Sequence, residues 1–529
     1  MSDISAVVAQ VSDLQDGEMQ QVEVGKQKVL LAKIDGKYHA TGAFCTHQSA
    51  PLAQGILSKD RVICPWHNAA YNPRTGEQYE PPGLDCLTHF QVHLEGENVI
   101  VTIPENFSSQ HPPQMGQQNL EVSDKIFVIL GSGAAGVNAA EALRHEGFQG
   151  RIIMITSEEK LPYDRVVMSK QYLQGSTLPK DSLPLRDADF YNQNNIELLT
   201  GKFVIRVDAE TKQITFADNS TINYDSLLLA TGAKANKLKV PGADLANIFT
   251  LRSYQDSDEI VTTAESDKKA VIVGSSFIGM ETAASLTKQG VSVTVVSPEK
   301  VPFKQLLGEK IGKLYQKIHE ENGVTFQFET KATEFVGKDK VEAVILENGE
   351  KIPADLVIVG IGVKPATDYL EKVELNEKDN SINTDEYLQV TDSLYAAGDL
   401  ATFPYWYNQE PTRIEHWRLA AQHGRIAAKN MAGKRVKYEG VPFFWTAQFT
   451  IGMRYVGHVE DWEETIVQGD LSESEFLAFY VKNKRILAVA ANGFDREIAA
   501  ISELMRLQKM PEVEQVREGN FDWFAALSG

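Results

Sequence analysis

The sequence predicts a multidomain chain: a small all-β domain in front, two Rossmann-like α/β dinucleotide-binding domains behind it, and an α+β domain at the end. Three observations carry this. The first hundred residues alternate apolar and polar in short runs. Two apolar strands then each run into a Gly-rich turn and a helix, at "IFVILGSGAAG" and "AVIVGSSFIG". Beyond about residue 404 the pattern mixes strands around 445–490 with a helical stretch at 494–508. A chain of 529 residues also exceeds one ordinary core, so three or more domains are expected.

Residues 1–104 contain "QQVEVG", "KVLLAKIDG", "RVICPW" and "FQVHLEGENVIVTI", punctuated by Gly, Asp-Gly and Pro. These are hairpin signals. Two mixed pairs sit among them, C-x-H at Cys45 and His47 and C-x-x-H at Cys64 and His67. Zinc sites of two Cys and two His usually pair Cys with Cys and His with His. The mixed spacing matches the Rieske pattern, in which two Cys hold one iron of a [2Fe–2S] cluster and two His hold the other. On that likeness Cys45 and Cys64 bind one iron, His47 and His67 its neighbour. High-potential Rieske proteins resemble this segment but tie the two loops with a disulfide, at positions that here hold Ala50 and Trp66. Ala69 replaces the usual Ser donor, leaving Tyr71 to supply a hydroxyl. Fewer donors leave a reduced cluster less stabilised, so a lower potential is expected. Asn68 stands where Gly is usual and must tolerate left-handed backbone. Cys86 reads as a buried small residue rather than a ligand.

Residues 105–122, rich in Pro, Gln and Ser, read as a linker. In the first Gly-rich unit, Gly131 permits the tight turn, Gly133 lets backbone N–H groups approach a pyrophosphate, and Gly136 lets helix and strand pack closely. The acid expected on the ribose is Glu158, with Glu159 its neighbour. The second unit keeps Gly274 and Gly279 but has Ser276 in the middle position. Its strand ends in Ser297 where an acid is common for NAD, with Glu299, Lys300 and Lys304 close behind. NADH and NADPH both remain open. A Gly turn without a ligand is the competing reading of either unit.

Further stretches, "LPYDRVVMSK", "LLLATGAK", "VIVGIGVKP", "LYAAGDLA", "RIEHWRLAAQHG" and "FFWTAQF", occur in this order from residue 161 to 449. Together they resemble the ferredoxin-reductase branch of FAD-dependent pyridine-nucleotide oxidoreductases. With the front domain, the whole chain resembles the apoptosis-inducing-factor-like Rieske flavoproteins. The resemblance implies two nested domains: an FAD domain over 123–244 and 364–403, interrupted by an NAD(P)H domain over 245–363, then a C-terminal reductase domain over 404–529. It places Arg165 and Lys170 by the flavin, Thr231 and Gly232 where the chain crosses near FAD, and Asp399 on its ribityl or phosphate part. Glu281 falls near the nicotinamide, and Glu415, His416, Trp417 and Trp445 near the isoalloxazine ring. Lys170, Glu281, Glu415, His416 and Trp445 are the catalytic candidates. Val166 and Ala447 depart from the pattern, which often has Pro and Asp there. Taken singly, Asp399 also reads as a helix cap, and the two tryptophans as ordinary core or surface aromatics.

No cysteine follows Cys86, so an internal redox disulfide beside the flavin is excluded. A mononuclear iron site at Glu415, His416 and His423 competes for residues the flavin pattern already explains. The net charge of −20 argues against nucleic acid or an anionic membrane. No stretch is long and apolar enough to span a bilayer, and the N-terminus lacks a secretory pattern, so a cytoplasmic monomer or homodimer is expected. The expected function is electron transfer from NAD(P)H through FAD to the cluster and an unknown outside acceptor, with a protein as the candidate class. Two alternatives stand beside it: a reductase component for an external oxygenase or cytochrome, and a redox sensor.

Overall fold

A computed structural model describes residues 3–175 and 183–528. The front domain is built on a six-stranded antiparallel sheet, in spatial order Asp3–Gln10, Asn98–Pro104, His89–Glu95, Lys37–Gly42, Gln27–Ile34 and Met19–Val24. Asp35 and Gly36, both at positive φ (52° and 71°), close the hairpin between Gln27–Ile34 and Lys37–Gly42. That is the two-residue turn whose twist suits paired strands. A second sheet of four short strands, from Ile56–Ser58 to Gln78–Glu80, carries the Cys and His loops. In the stretch read as a linker, Gln110–His111 pairs with Cys86–Leu87.

The nesting is visible in strand order. Ile196–Leu199, Arg151–Ile155, Ile126–Leu130 and Ser226–Leu229 form one sheet with Leu394–Ala396 and Gln389–Thr391, from far along the chain. Between them, a separate parallel sheet orders Ile248–Phe249, Leu356–Val359, Lys269–Val273, Ser292–Ser297 and Thr325–Phe328. Ala233–Ala235 pairs with Val363–Pro365 where the chain leaves and re-enters the first of these domains. Apolar runs such as "IFVIL" and "VIV" suit these strands because helices cover both faces of a parallel sheet.

The end of the chain folds as a five-stranded antiparallel sheet, Phe443–Gln448 to Glu464–Asp470, with the helix Asp495–Arg506 packed on it. The helix Trp417–Met431, which the sequence reading groups with this last domain, packs on the first dinucleotide helix, Ala134–His145. Gly424 makes this approach close: a Cβ there would meet the Ala135 carbonyl at 2.1 Å. No described helix is long and apolar enough to cross a membrane.

Candidate redox centre

The two Cys-His loops share one backbone design. The Cys45 N–H donates to the Ala50 carbonyl (2.9 Å), and the Ser49 N–H returns to the Cys45 carbonyl (3.0 Å). In the second loop the Cys64 N–H donates to Ala69 (2.8 Å) and the Asn68 N–H to Cys64 (3.3 Å). Ser49 and Asn68 close the loops with φ of 56° and 60°. Asn68 therefore does adopt the left-handed backbone its position requires.

These loops bring the four side chains together in like pairs. The Cys45 and Cys64 thiols are both buried and close enough to perturb one another's protonation. The Nδ1 atoms of His47 and His67 lie 3.0 Å apart. Among the described residues, no three His, Cys, Asp or Glu side chains converge on one point. A mononuclear zinc site needs that convergence, whereas a two-iron cluster asks only two protein ligands of each iron. The donor set fits a [2Fe–2S] cluster in its protonation as well. Burial pushes the His47 imidazole down to about 4. His67 is lowered well below its ordinary value by burial, then by His47, Arg454 and Lys170. Both rings are therefore neutral, as ligands must be. The neighbouring Cys64 holds the Cys45 thiol down to about 7, while burial pushes Cys64 well up. The Tyr71 hydroxyl lies 3.2 Å from Cys45 Sγ. All three cysteines are free, so no disulfide ties the loops, and Cys86 is buried in a strand.

Beside this site opens a cavity of about 1120 Å³. Gly131, Gly133, Glu158, Arg165, Lys170, Thr231, Gly232, Glu281, Asp399, Glu415, His416, Trp417 and Trp445 line it, so the structure gathers nearly the whole expected flavin set. The remaining glycines of the two turns act through packing. A Cβ on Gly136 would meet the Gly131 carbonyl at 1.9 Å, and one on Gly279 the Gly274 carbonyl at 2.3 Å. Gly133 has nothing within 4 Å of where its Cβ would stand, which leaves the open cradle a pyrophosphate needs.

Several lining residues are held by one another. Glu158 pairs with Arg165 and accepts from the Tyr163 hydroxyl at 2.7 Å; Glu159 does not line the cavity. Asp399 accepts from Arg252 (2.6 Å), which the sequence reading missed because a lone Arg outside any motif carries no signal. Glu281, 4% exposed, accepts from Lys170 (2.8 Å), Ser169 (2.6 Å) and Thr446 (2.7 Å). Glu415 accepts from Arg413 at 2.5 Å, and burial raises its carboxyl. His416 stacks on Phe444 at 4.3 Å, and burial lowers it to about 4. His423 instead packs between Phe403 and Tyr438 in the core, so it does not join Glu415 and His416 at a metal. Ser276, Phe277 and Ile278 bring the second dinucleotide turn to the same cavity. Ser297 is buried and bonded to Ser275 (2.8 Å), while Glu299, Lys300 and Lys304 line a separate cleft of about 330 Å³.

Trp445 joins the two sites. It lines the cavity and packs against His67 (ring centroids 4.2 Å) and His47 (5.8 Å).

Three family models match in sequence order: Rieske [2Fe-2S] domain over 5–91, pyridine nucleotide-disulphide oxidoreductase over 125–424, and reductase C-terminal over 443–525. The chain belongs to the pyridine nucleotide-disulphide oxidoreductase family. This oxidoreductase is similar along nearly all its length to apoptosis-inducing factor 3 of Homo sapiens, with 38% identity over 98% of this chain and 88% of that protein. It is 32% identical to the benzene 1,2-dioxygenase system ferredoxin–NAD(+) reductase subunit of Pseudomonas putida, over 74% of this chain and 94% of that one. Among solved structures it is similar to the putidaredoxin reductase–putidaredoxin covalent complex, with a TM-score of 0.72 and 29% identity over 77% of this chain and 98% of that one. The protein is thus an NAD(P)H-dependent flavoprotein oxidoreductase with FAD and a Rieske [2Fe–2S] cluster. Despite the family's name, residues 125–424 hold no cysteine, so no disulfide of this chain receives the flavin's electrons.

Proposed function

We propose that the oxidoreductase works as a self-contained relay, with Trp445 as the contact between flavin cavity and cluster, delivering electrons to an outside protein. The observation that supports this is the packing of Trp445 against both imidazoles while it lines the cavity. Bound FAD supplies a hydride acceptor that can release electrons singly, and a bound Rieske cluster supplies a one-electron carrier.

The chain's own residues divide the work. Gly131, Gly133 and the helix start at Ala134 would hold the FAD pyrophosphate, Glu158 its ribose, and Arg165, Thr231, Gly232 and Asp399 the middle of the molecule. Glu415, His416 and Trp417 would wall the isoalloxazine ring. Gly274 and Gly279 shape the NAD(P)H turn. Lys170 and Glu281 form a buried ion pair, which would orient the nicotinamide ring and exclude water from it. Cys45, Cys64, His47 and His67 bind the cluster. We assign the domain limits as the sequence reads them, counting the helix Trp417–Met431 with the flavin domain it packs on. Relatives named as ferredoxin reductases of dioxygenase systems support a protein acceptor. The absence of a disulfide and the low-potential pattern of the cluster loops fit a reducing compartment such as the cytoplasm.

Anaerobic stopped-flow mixing with NADH tests the relay. Flavin absorbance should bleach first and the cluster band follow, and Trp445→Ala should slow the second phase more than the first. A flavin that bleaches while the cluster stays oxidised would refute it.

A further inference from the structure

The contact of His67 with Trp445 is only as good as the docking of the front domain on the reductase. That docking is shared between the C-terminal domain, where Ser502 accepts from Asn68 (2.9 Å), Glu503 from Ser58 (3.1 Å) and Arg454 donates to the Trp66 carbonyl (3.3 Å), and one face of the helix Trp417–Met431. Arg418, Gln422 and Arg425, spaced at four and three residues, lie on the same side of the helix. Arg425 Nη2 donates to Gln78 Oε1 (2.6 Å) while its Nε donates to Asn138 of the first dinucleotide helix (2.8 Å). Gln422 Nε2 donates to Glu80 Oε2 (2.6 Å). Arg418, 3% exposed, has the most connections. Its Nε donates to the Pro81 carbonyl (3.0 Å), its Nη2 to the Asn68 carbonyl (3.1 Å), and its Nη1 to the Val441 carbonyl (3.2 Å). Glu80, at 3.4 Å, balances its charge.

Two of these partners are the neighbours of the relay contact. Asn68 follows His67 directly. Val441 leads into the strand Phe443–Gln448, which carries Trp445. One planar guanidinium therefore ties the segment bearing His67 to the segment bearing Trp445, with a fixed fork geometry that a lysine cannot reproduce. Burying so many donors is costly unless each finds an acceptor, and here each nitrogen does.

We propose that Arg418 is a positioning residue for electron transfer between flavin and cluster, holding His67 against Trp445, with Gln422 and Arg425 extending the same docking face. This inference rests on the relay proposed above. It makes the front domain a fixed part of the machine rather than a swinging one.

The test compares holoprotein carrying Arg418→Lys, which keeps the charge beside Glu80, with Arg425→Gln at the far end of the face. In Arg418→Lys, cluster reduction should slow severalfold relative to flavin bleaching by NADH, since electron transfer weakens as the two groups separate. Arg425→Gln should slow it less. Iron content, EPR line shape and cluster midpoint should match the wild type, and amide hydrogen exchange over 64–83 should rise in both variants. A wild-type cluster phase in iron-replete Arg418→Lys, or slowing that only tracks lost iron, would overturn the inference. Should Arg418→Lys not fold, the same readouts on Arg425→Gln decide. A wild-type protein whose cluster is never reduced defeats the relay instead.

Discussion

Among the described residues, Tyr71 is the one hydroxyl hydrogen-bonded to a cysteine sulfur of the site, and its removal should lower the cluster potential. The side chain is fully buried, with its oxygen 3.2 Å from Cys45 Sγ and 3.1 Å from the Thr46 nitrogen. The Thr46 N–H donates to the phenol, which leaves the phenol hydrogen for an acceptor. An anionic sulfur attracts it more strongly than the neutral Thr46 hydroxyl. A hydrogen bond to a charged group contributes about 1.5–3 kcal/mol, and it strengthens as the cluster gains negative charge. If about 1 kcal/mol of this appears only on reduction, Tyr71→Phe should lower the midpoint by about 40 mV, since for one electron about 59 mV corresponds to a tenfold change in equilibrium constant. Phe preserves the ring volume, so the remaining cost is the orphaned Thr46 N–H, about 1–2 kcal/mol of stability. The assay is an EPR-monitored redox titration beside the wild type. An unchanged or raised midpoint in fully iron-loaded Tyr71→Phe would refute the argument.

Other perturbations separate the parts. Cys64→Ser should abolish the Rieske EPR signal and bound iron yet leave a yellow protein whose flavin NADH still bleaches, as spectra and iron assay will show. Glu281→Gln leaves Lys170, 13% exposed, without its charge partner. It should cost about 3 kcal/mol in denaturant unfolding and slow flavin reduction, because breaking one side of a buried pair strands the other charge. Glu299→Gln removes one of three carboxylates, with Glu329 and Glu347, in the cleft that holds Lys300 and Lys304. The ratio of kcat/KM for NADPH over NADH should rise about tenfold, as one repulsion toward a 2′-phosphate disappears.

What could be read from the sequence was what chemistry places within a few residues. The spacing of Cys45, His47, Cys64 and His67 sufficed because each pair sits in one tight loop, and Asn68 was readable because a single position demanded positive φ. The Gly131 turn was readable from the strand before it and the helix after it. Long-range geometry was not. Arg418 reaches Glu80 across 338 positions of chain, and nothing local marks either as a partner. The polar stripe of Arg418, Gln422 and Arg425 is visible as a period, but the surface it meets is not. For the same reason Trp417–Met431 reads as part of the last domain, although its face is shaped for Ala135 of the first dinucleotide helix.

The loop chemistry and the docking bear on one question, why a cluster of this kind is fixed to this reductase. A relay that is held in place can load and unload repeatedly only if the cluster does not hold its electron too tightly. Each hydrogen bond to a cluster sulfur stabilises the reduced state, and a loop disulfide accompanies the high-potential members that use several. In this chain the disulfide positions hold Ala50 and Trp66, Ala69 stands in place of the Ser donor, and among the described residues only the Tyr71 hydroxyl bonds to a site sulfur, at 3.2 Å. Meanwhile the arginine-rich helix face holds His67 on Trp445, so passage does not wait for a domain to swing. Geometry thus favours fast exchange with the flavin, and the sparse donors keep that exchange from becoming a trap. Gln48 and Ser49 of the first loop face solvent, so the cluster loops are not sealed inside the protein on that edge.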